Sequence, residues 1–63
     1  MNAKEILKLL KQKGFYELRQ NGSHIVMTNG TNKATVPYHG KADVKIGTIK
    51  SIEKQSGVKL WNT

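Results

Sequence analysis

The sequence predicts an α+β domain with the order helix, three antiparallel strands, helix. Two stretches with apolar residues at helical spacing lie towards the ends of the chain, and a stretch with alternating polarity and turn signals lies between them. With 63 residues and no cysteine, the chain is expected to form a single domain over residues 1–63. Its core should be thin, and it should contain no disulfide.

The first helix is predicted over residues 3–13. Asn2 is suited to cap its start, and Glu5 completes a capping-box pattern three residues later. Gly14 is suited to the left-handed conformation that ends many helices. Apolar residues recur on one side of this helix and predict a buried stripe. The stripe consists of Ala3, Ile6, Leu7 and Leu10.

The dipeptide Asn21-Gly22 predicts a two-residue turn between the first two strands. Residues that face each other across a hairpin share one side of the sheet. The opposed pairs in this register are Arg19–His24, Leu18–Ile25 and Tyr16–Met27. The core side would therefore hold Tyr16, Leu18, Ile25 and Met27. The other side would hold Glu17, Arg19, His24 and Val26.

A third strand is predicted over residues 33–38, after a loop at residues 29–32. This loop pairs Ile25 with Val36 and His24 with Pro37, which keeps the apolar residues on the core side. Proline fits an edge strand, where one backbone donor can be missing. The pattern leaves open a β-bulge, and a slip of one residue would exchange the two sides.

The second helix is predicted to begin near Ile46 and to extend to about Ser56, with Gly57 as its stop. Its apolar side would consist of Ile46, Ile49 and Ile52. Two amphipathic helices on one side of the sheet would leave the side with His24 uncovered. This arrangement resembles the double-stranded-RNA-binding fold. The tail, residues 58–63, could pack on the core or bind a partner.

The charge of the chain favours a polyanionic partner. Eleven Lys and Arg residues against four Asp and Glu residues give a net charge of +7, which suits nucleic acid, an anionic membrane surface or an acidic protein. No segment is apolar enough to span a membrane and no secretory signal is evident, so a cytoplasmic protein without membrane contact is expected. No cofactor is expected, and no metal site is predicted.

His24 is the main candidate for catalysis. Its imidazole could accept a proton from a ribose 2′-hydroxyl or donate one to a departing 5′-oxygen. Arg19 could hold the phosphate, and Glu17 could orient the ring. His39 would lie diagonally to His24, at a backbone separation of roughly 7–8 Å, and could share the acid and base roles. Alternatively, His39 is a loop residue without a catalytic part, and His24 is an ordinary exposed strand residue.

Further basic side chains could bind RNA phosphates, although each could also be only a solvated charge. They are Lys8, Lys11, Lys13, Lys33, Lys41, Lys45 and Lys50, together with Arg19. Tyr16, Tyr38 and Trp61 could stack on bases. Strand parity assigns Tyr16 and Tyr38 to the core side, which argues against that role for these two.

The same residues carry a family resemblance over roughly residues 3–57. The first helix is followed by Gly14-Phe15-Tyr16, Arg19-Gln20-Asn21-Gly22-Ser23-His24, Val36-Pro37-Tyr38-His39, Gly47-Thr48-Ile49 and residues 52–57. This order closely resembles the HicA toxin family. The resemblance implies a ribonuclease toxin of a type II toxin–antitoxin pair, which cleaves mRNA, arrests translation and growth, and is neutralised by a HicB-type antitoxin. It assigns the catalytic histidine to His24.

These observations predict a metal-independent endoribonuclease that acts on single-stranded mRNA, with His24 as general acid or base. The proposed roles of Arg19, Glu17 and His39 do not come from the resemblance. One alternative is an RNA-binding module without catalytic activity. Another is a protein-interaction domain whose charge serves an acidic partner.

Overall fold

The computed structural model describes residues 1–60 and has the predicted α+β architecture, consistent with a double-stranded-RNA-binding-like fold. The elements are α1 (Ala3–Gln12), β1 (Tyr16–Asn21), β2 (His24–Thr28), β3 (Lys33–Pro37) and α2 (Ile46–Ser56). The strands form one antiparallel sheet in the order β1-β2-β3. Within residues 1–60, neither helix is both long and apolar enough to cross a membrane.

The predicted cap of α1 is confirmed. The Asn2 side chain accepts a hydrogen bond of 2.9 Å from the backbone N–H of Glu5, and the Glu5 carboxylate accepts one of 3.0 Å from the N–H of Asn2. Each side chain satisfies a donor that the first helical turn leaves unpaired. Gly14 follows the helix with a positive φ of 88°. The predicted apolar stripe of α1 is buried.

The core lies between the helices and the side of the sheet that carries Ile25 and Met27. Both helices pack mainly on β3, and every residue of β1 is exposed. The assignment of Tyr16 and Leu18 to the core was therefore wrong, since these side chains are 54% and 45% exposed. The physical reason is that the helix layer covers β2 and β3, while β1 extends past it as an edge strand.

The register between β2 and β3 is confirmed, with Ile25 opposite Val36 and His24 opposite Pro37. The register between β1 and β2 is different from the prediction. Asn21 pairs with His24, so the turn consists of Gly22 and Ser23. Gly22 has a φ of 57°, and every residue with a positive φ in the described part of the chain is a glycine. Glycine at the first turn position is typical of a type II′ turn.

The first hairpin also contains a β-bulge between Glu17 and Arg19. Moving the turn from Asn21-Gly22 to Gly22-Ser23 changes the pairing by two residues, which keeps Arg19 on its predicted side. The extra residue in the bulge then exchanges the sides of everything before it. Glu17 pairs with Met27 and Tyr16 with Thr28, so both lie on the side opposite to the one predicted.

The second helix ends as predicted, at Gly57 with a φ of 76°. Its buried side runs through Ile49, Ile52 and Ser56. Ile46 is 48% exposed, so its assignment to the apolar side was wrong. At about 100° per residue, Ile46 lies about 90° from the centre of the buried stripe.

The tail packs on the core as far as the structure describes it. Leu60 is buried, and its backbone N–H donates a hydrogen bond of 2.6 Å to the Glu53 carboxylate. This contact confirms docking over residues 58–60. Trp61, which the sequence suggested as a base-stacking residue, lies outside the described residues together with residues 62–63.

Candidate functional site

The uncovered side of the sheet forms a surface of three short rows, which we call the open face. Each row runs across β1, β2 and β3, because residues paired across strands share one side of the sheet. The rows are Asn21–His24–Pro37, Arg19–Val26–Thr35 and Tyr16–Thr28–Lys33. The neighbouring residues of β2, Ile25 and Met27, point to the opposite side and are buried in the core.

His24 lies in the first row, on the central strand. It is paired on both sides, with Asn21 of β1 and Pro37 of β3, and its side chain is exposed. Because the next residue, Ile25, is buried in the core, the His24 side chain must lie on the opposite side of the sheet. The fold therefore holds an accessible imidazole on a rigid element, where a large flexible ligand can reach it.

Arg19 lies on the open face but not directly opposite His24, as the sequence predicted. It pairs with Val26, two residues further along β2, which makes it a diagonal neighbour of His24 with a backbone separation on the order of 7–8 Å. An arginine side chain can span such a distance to a phosphate bound at the histidine. Arg19 and His24 therefore lie on the same side of the sheet, as predicted, but Arg19 is not the direct partner of His24.

The predicted position of Glu17 beside the His24 ring was wrong. Glu17 pairs with Met27, whose side chain points into the core, so the bulge turns Glu17 away from the open face. Tyr16 makes the opposite change and lies on the open face, opposite Thr28. No residue pattern indicates this exchange, because all six residues of β1 are exposed and neither side of the strand has to be apolar.

His39 follows the end of β3, in the loop before α2. β3 ends at Pro37, and the His39 carbonyl accepts a hydrogen bond of 3.2 Å from Ala42 within that loop. His39 lines a cavity of about 250 Å³ between the end of β3 and the start of α2, together with Pro37, Asp43, Lys45 and Thr48. His39 is thus a loop residue that lies beside both Pro37 and α2, and its share in the acid and base roles stays a prediction.

The lysines predicted to bind phosphate are all exposed, but they do not form one surface. Lys33 lies on the open face. Lys8 and Lys11 line a groove of about 740 Å³ along α1, together with Tyr38, which packs against the core as predicted. Lys45 lies at the His39 cavity. The others are spread over loops and α2, and they are Lys13, Lys41 and Lys50.

None of the four Asp and Glu side chains belongs to the paired rows of the open face, and the one nearest to it is Asp43, which lines a cavity together with Pro37. Glu5 caps α1, and Asp43 pairs with the N-terminal amine at 3.5 Å. Glu53 of α2 accepts the backbone hydrogen bond of Leu60, and Glu17 is on the other side of the sheet. The charged side chains on the open face are therefore Arg19 and Lys33, which attract anions. Within residues 1–60, no three His, Asp or Glu side chains cluster as metal ligands.

Comparison with known proteins identifies a family for the chain. A family model described as "HicA toxin of bacterial toxin-antitoxin" matches residues 3–58. No match was found among curated proteins or among solved structures. The matched segment includes every helix and strand of the structure and all nine residues of the open face.

Proposed function

The chain belongs to the HicA toxin family of bacterial toxin–antitoxin systems, and we propose that it is an endoribonuclease that cleaves single-stranded mRNA. Family membership makes it the toxin of such a pair and implies a cognate antitoxin as its partner. The observation that supports the proposal best is the position of His24, which is exposed on the central strand of a face whose paired rows contain two cations and no carboxylate.

His24 acts in this proposal as general acid or base in a transesterification. The ribose 2′-oxygen loses its proton and forms a bond to phosphorus, while the bond between phosphorus and the 5′-oxygen breaks and that oxygen gains a proton. His24 transfers one of these protons, and water transfers the other. The reaction leaves a 2′,3′-cyclic phosphate on one fragment and a 5′-hydroxyl on the other.

Arg19 stabilises the phosphate charge that develops in this reaction. A guanidinium donates paired hydrogen bonds to phosphate oxygens and remains charged throughout. Lys33 and the lysines outside the open face add a positive potential that attracts the RNA. Because proton transfer and charge stabilisation suffice for attack by a neighbouring hydroxyl, we propose a reaction that is independent of metal ions. His39 has no assigned proton transfer.

The antitoxin that we propose is of the HicB type, and the substrate mRNA is reached in the cytoplasm. A shallow site on a sheet surface is readily covered by a protein partner. Acidic groups on that partner could take the place of RNA phosphates at Arg19 and Lys33. The cognate antitoxin is therefore proposed to bind over the open face.

Incubation of the pure protein with end-labelled single-stranded RNA in excess chelator tests the proposed activity. We expect cleavage, with a 2′,3′-cyclic phosphate and a 5′-hydroxyl at the new ends. RNA that is bound but left intact would contradict the proposal and indicate a binding module. Absence of both cleavage and binding would indicate a protein-interaction domain instead.

A further inference from the structure

The open face carries one aromatic side chain whose role the cleavage reaction does not explain. Tyr16 is 54% exposed, although large apolar side chains are usually placed in the core of so small a domain. It lies in the row Tyr16–Thr28–Lys33, on the same side of the sheet as His24. Its position results from the bulge between Glu17 and Arg19.

The neighbours of Tyr16 leave its ring available to a ligand. Thr28, directly opposite, is buried and uses its hydroxyl within the adjoining loop, where it donates to the Asn32 carbonyl at 2.8 Å and accepts from the Gly30 N–H at 3.0 Å. Lys33, beyond Thr28 in the same row, is exposed. The row therefore combines an accessible aromatic ring with a cation and with no competing acidic group.

We propose that Tyr16 is a base-binding residue, on which one base of the single-stranded RNA stacks while Arg19 and Lys33 hold the neighbouring phosphates. This inference rests on the proposed ribonuclease function and names a contact of the same substrate. Every base has a π-face, so an aromatic side chain next to cations on a sheet is a general binding arrangement for single-stranded nucleic acid. A duplex would not supply an unstacked base for this contact.

The spacing along β2 places this contact away from the bond that is cleaved. Thr28, the partner of Tyr16, is four residues from His24, which corresponds to roughly 14 Å along an antiparallel strand. Tyr16 therefore cannot act on the reacting atoms. It positions the RNA by holding a base at some distance from the scissile phosphate, and Arg19 lies in the row between the two points.

RNA is favoured over a protein as the occupant because of the charge and the shape of this surface. Lys33 lies in the row of Tyr16 and Arg19 in the next row, so the two cations are spaced along the surface as phosphates are along a strand, and no carboxylate lies in these two rows. The other apolar residues of the open face are Val26 and Pro37, which are half-buried and lie in the two other rows. A protein interface would instead need a continuous apolar centre with a polar rim.

The test measures binding of a fully 2′-O-methylated single-stranded RNA, which cannot be cleaved because its nucleophilic hydroxyl is blocked. We expect Tyr16→Ala to weaken binding by roughly 5-fold or more, the lower end of the effect of removing a stacking residue. Tyr16→Phe should bind like the parent, because stacking requires the ring and not the hydroxyl. Ile46→Ala removes a similarly exposed apolar side chain on α2 and should have no effect.

An abasic scan of the same RNA identifies the stacked base. One abasic position should weaken binding to the parent but not to Tyr16→Ala, and Tyr16→Ala should raise KM for cleavable RNA with little change in kcat. Equal affinity of Tyr16→Ala and Ile46→Ala, in a protein that still cleaves RNA, would overturn the inference and leave the proposed function intact. Loss of antitoxin binding with unchanged RNA affinity would also overturn it. A parent protein that neither binds nor cleaves RNA would overturn both.

Discussion

Replacement of His24 by alanine separates the catalytic hypothesis from a structural one. The His24 side chain is exposed and makes no hydrogen bond within residues 1–60. Exposed substitutions of this kind change the free energy of unfolding by about 0.5 kcal/mol or less. For a domain of this size, that corresponds to a change in Tm of roughly 2–4 °C. The folded protein should therefore persist.

The effect on cleavage should be much larger than the effect on stability. Loss of a general acid or base lowers the rate by about 100- to 10,000-fold, which corresponds to roughly 3–5 kcal/mol of activation free energy. The assay combines thermal melting with initial cleavage rates for His24→Ala and His24→Gln, and His39→Ala serves as the matched histidine control. His39→Ala should cleave within a few fold of the parent. A folded His24→Ala protein that cleaves at the parental rate would refute the proposed mechanism.

Three further results are expected. The logarithm of RNA affinity should fall linearly with the logarithm of salt concentration. Arg19→Ala should reduce the steepness of this slope by about 0.7, whereas Lys54→Ala on α2 should leave the slope nearly unchanged. A flat salt dependence of the parent would contradict the electrostatic account. A structure of the complex with the cognate antitoxin should show His24 covered, and a fully accessible His24 would indicate inhibition by distortion instead. In chemical denaturation, Met27→Ala should lower the free energy of unfolding by about 2–5 kcal/mol and Leu18→Ala by about 0.5 kcal/mol or less, since only Met27 is buried; equal losses would show that β1 is part of the core.

The sequence predicted those features that depend on neighbouring residues. The cap of α1 requires only a side-chain oxygen at Asn2 and a carboxylate at Glu5, and the structure contains both hydrogen bonds. The register of β2 with β3 follows from the alternation of buried residues on two strands that the helices cover on one side. Without Asn2 and Glu5 at these positions, donors of the first helical turn would be unpaired. Any other register of β2 with β3 would expose apolar side chains. Each of these patterns therefore has one favourable solution.

The β1 strand lacks this constraint, because the helix layer does not cover it. All six of its residues are exposed, so neither side of β1 is required to be apolar, and its composition does not report its register. The same residues are also compatible with two different turns, one at Asn21-Gly22 and one at Gly22-Ser23. The residues around the bulge at Leu18 do not differ in type from those of a regular exposed strand.

The sequence therefore predicts the side of the sheet correctly for some residues of β1 and wrongly for others, depending on their position relative to the bulge. A shift of two residues in the turn preserves the side on which a residue lies, whereas a bulge of one residue reverses it. Arg19, between the turn and the bulge, stays on the side of His24, but Glu17 and Tyr16 precede the bulge and change sides. The bulge thus removes a carboxylate from the surface around His24 and adds an aromatic ring to it. Both changes make this surface more suitable for a polyanion with exposed bases.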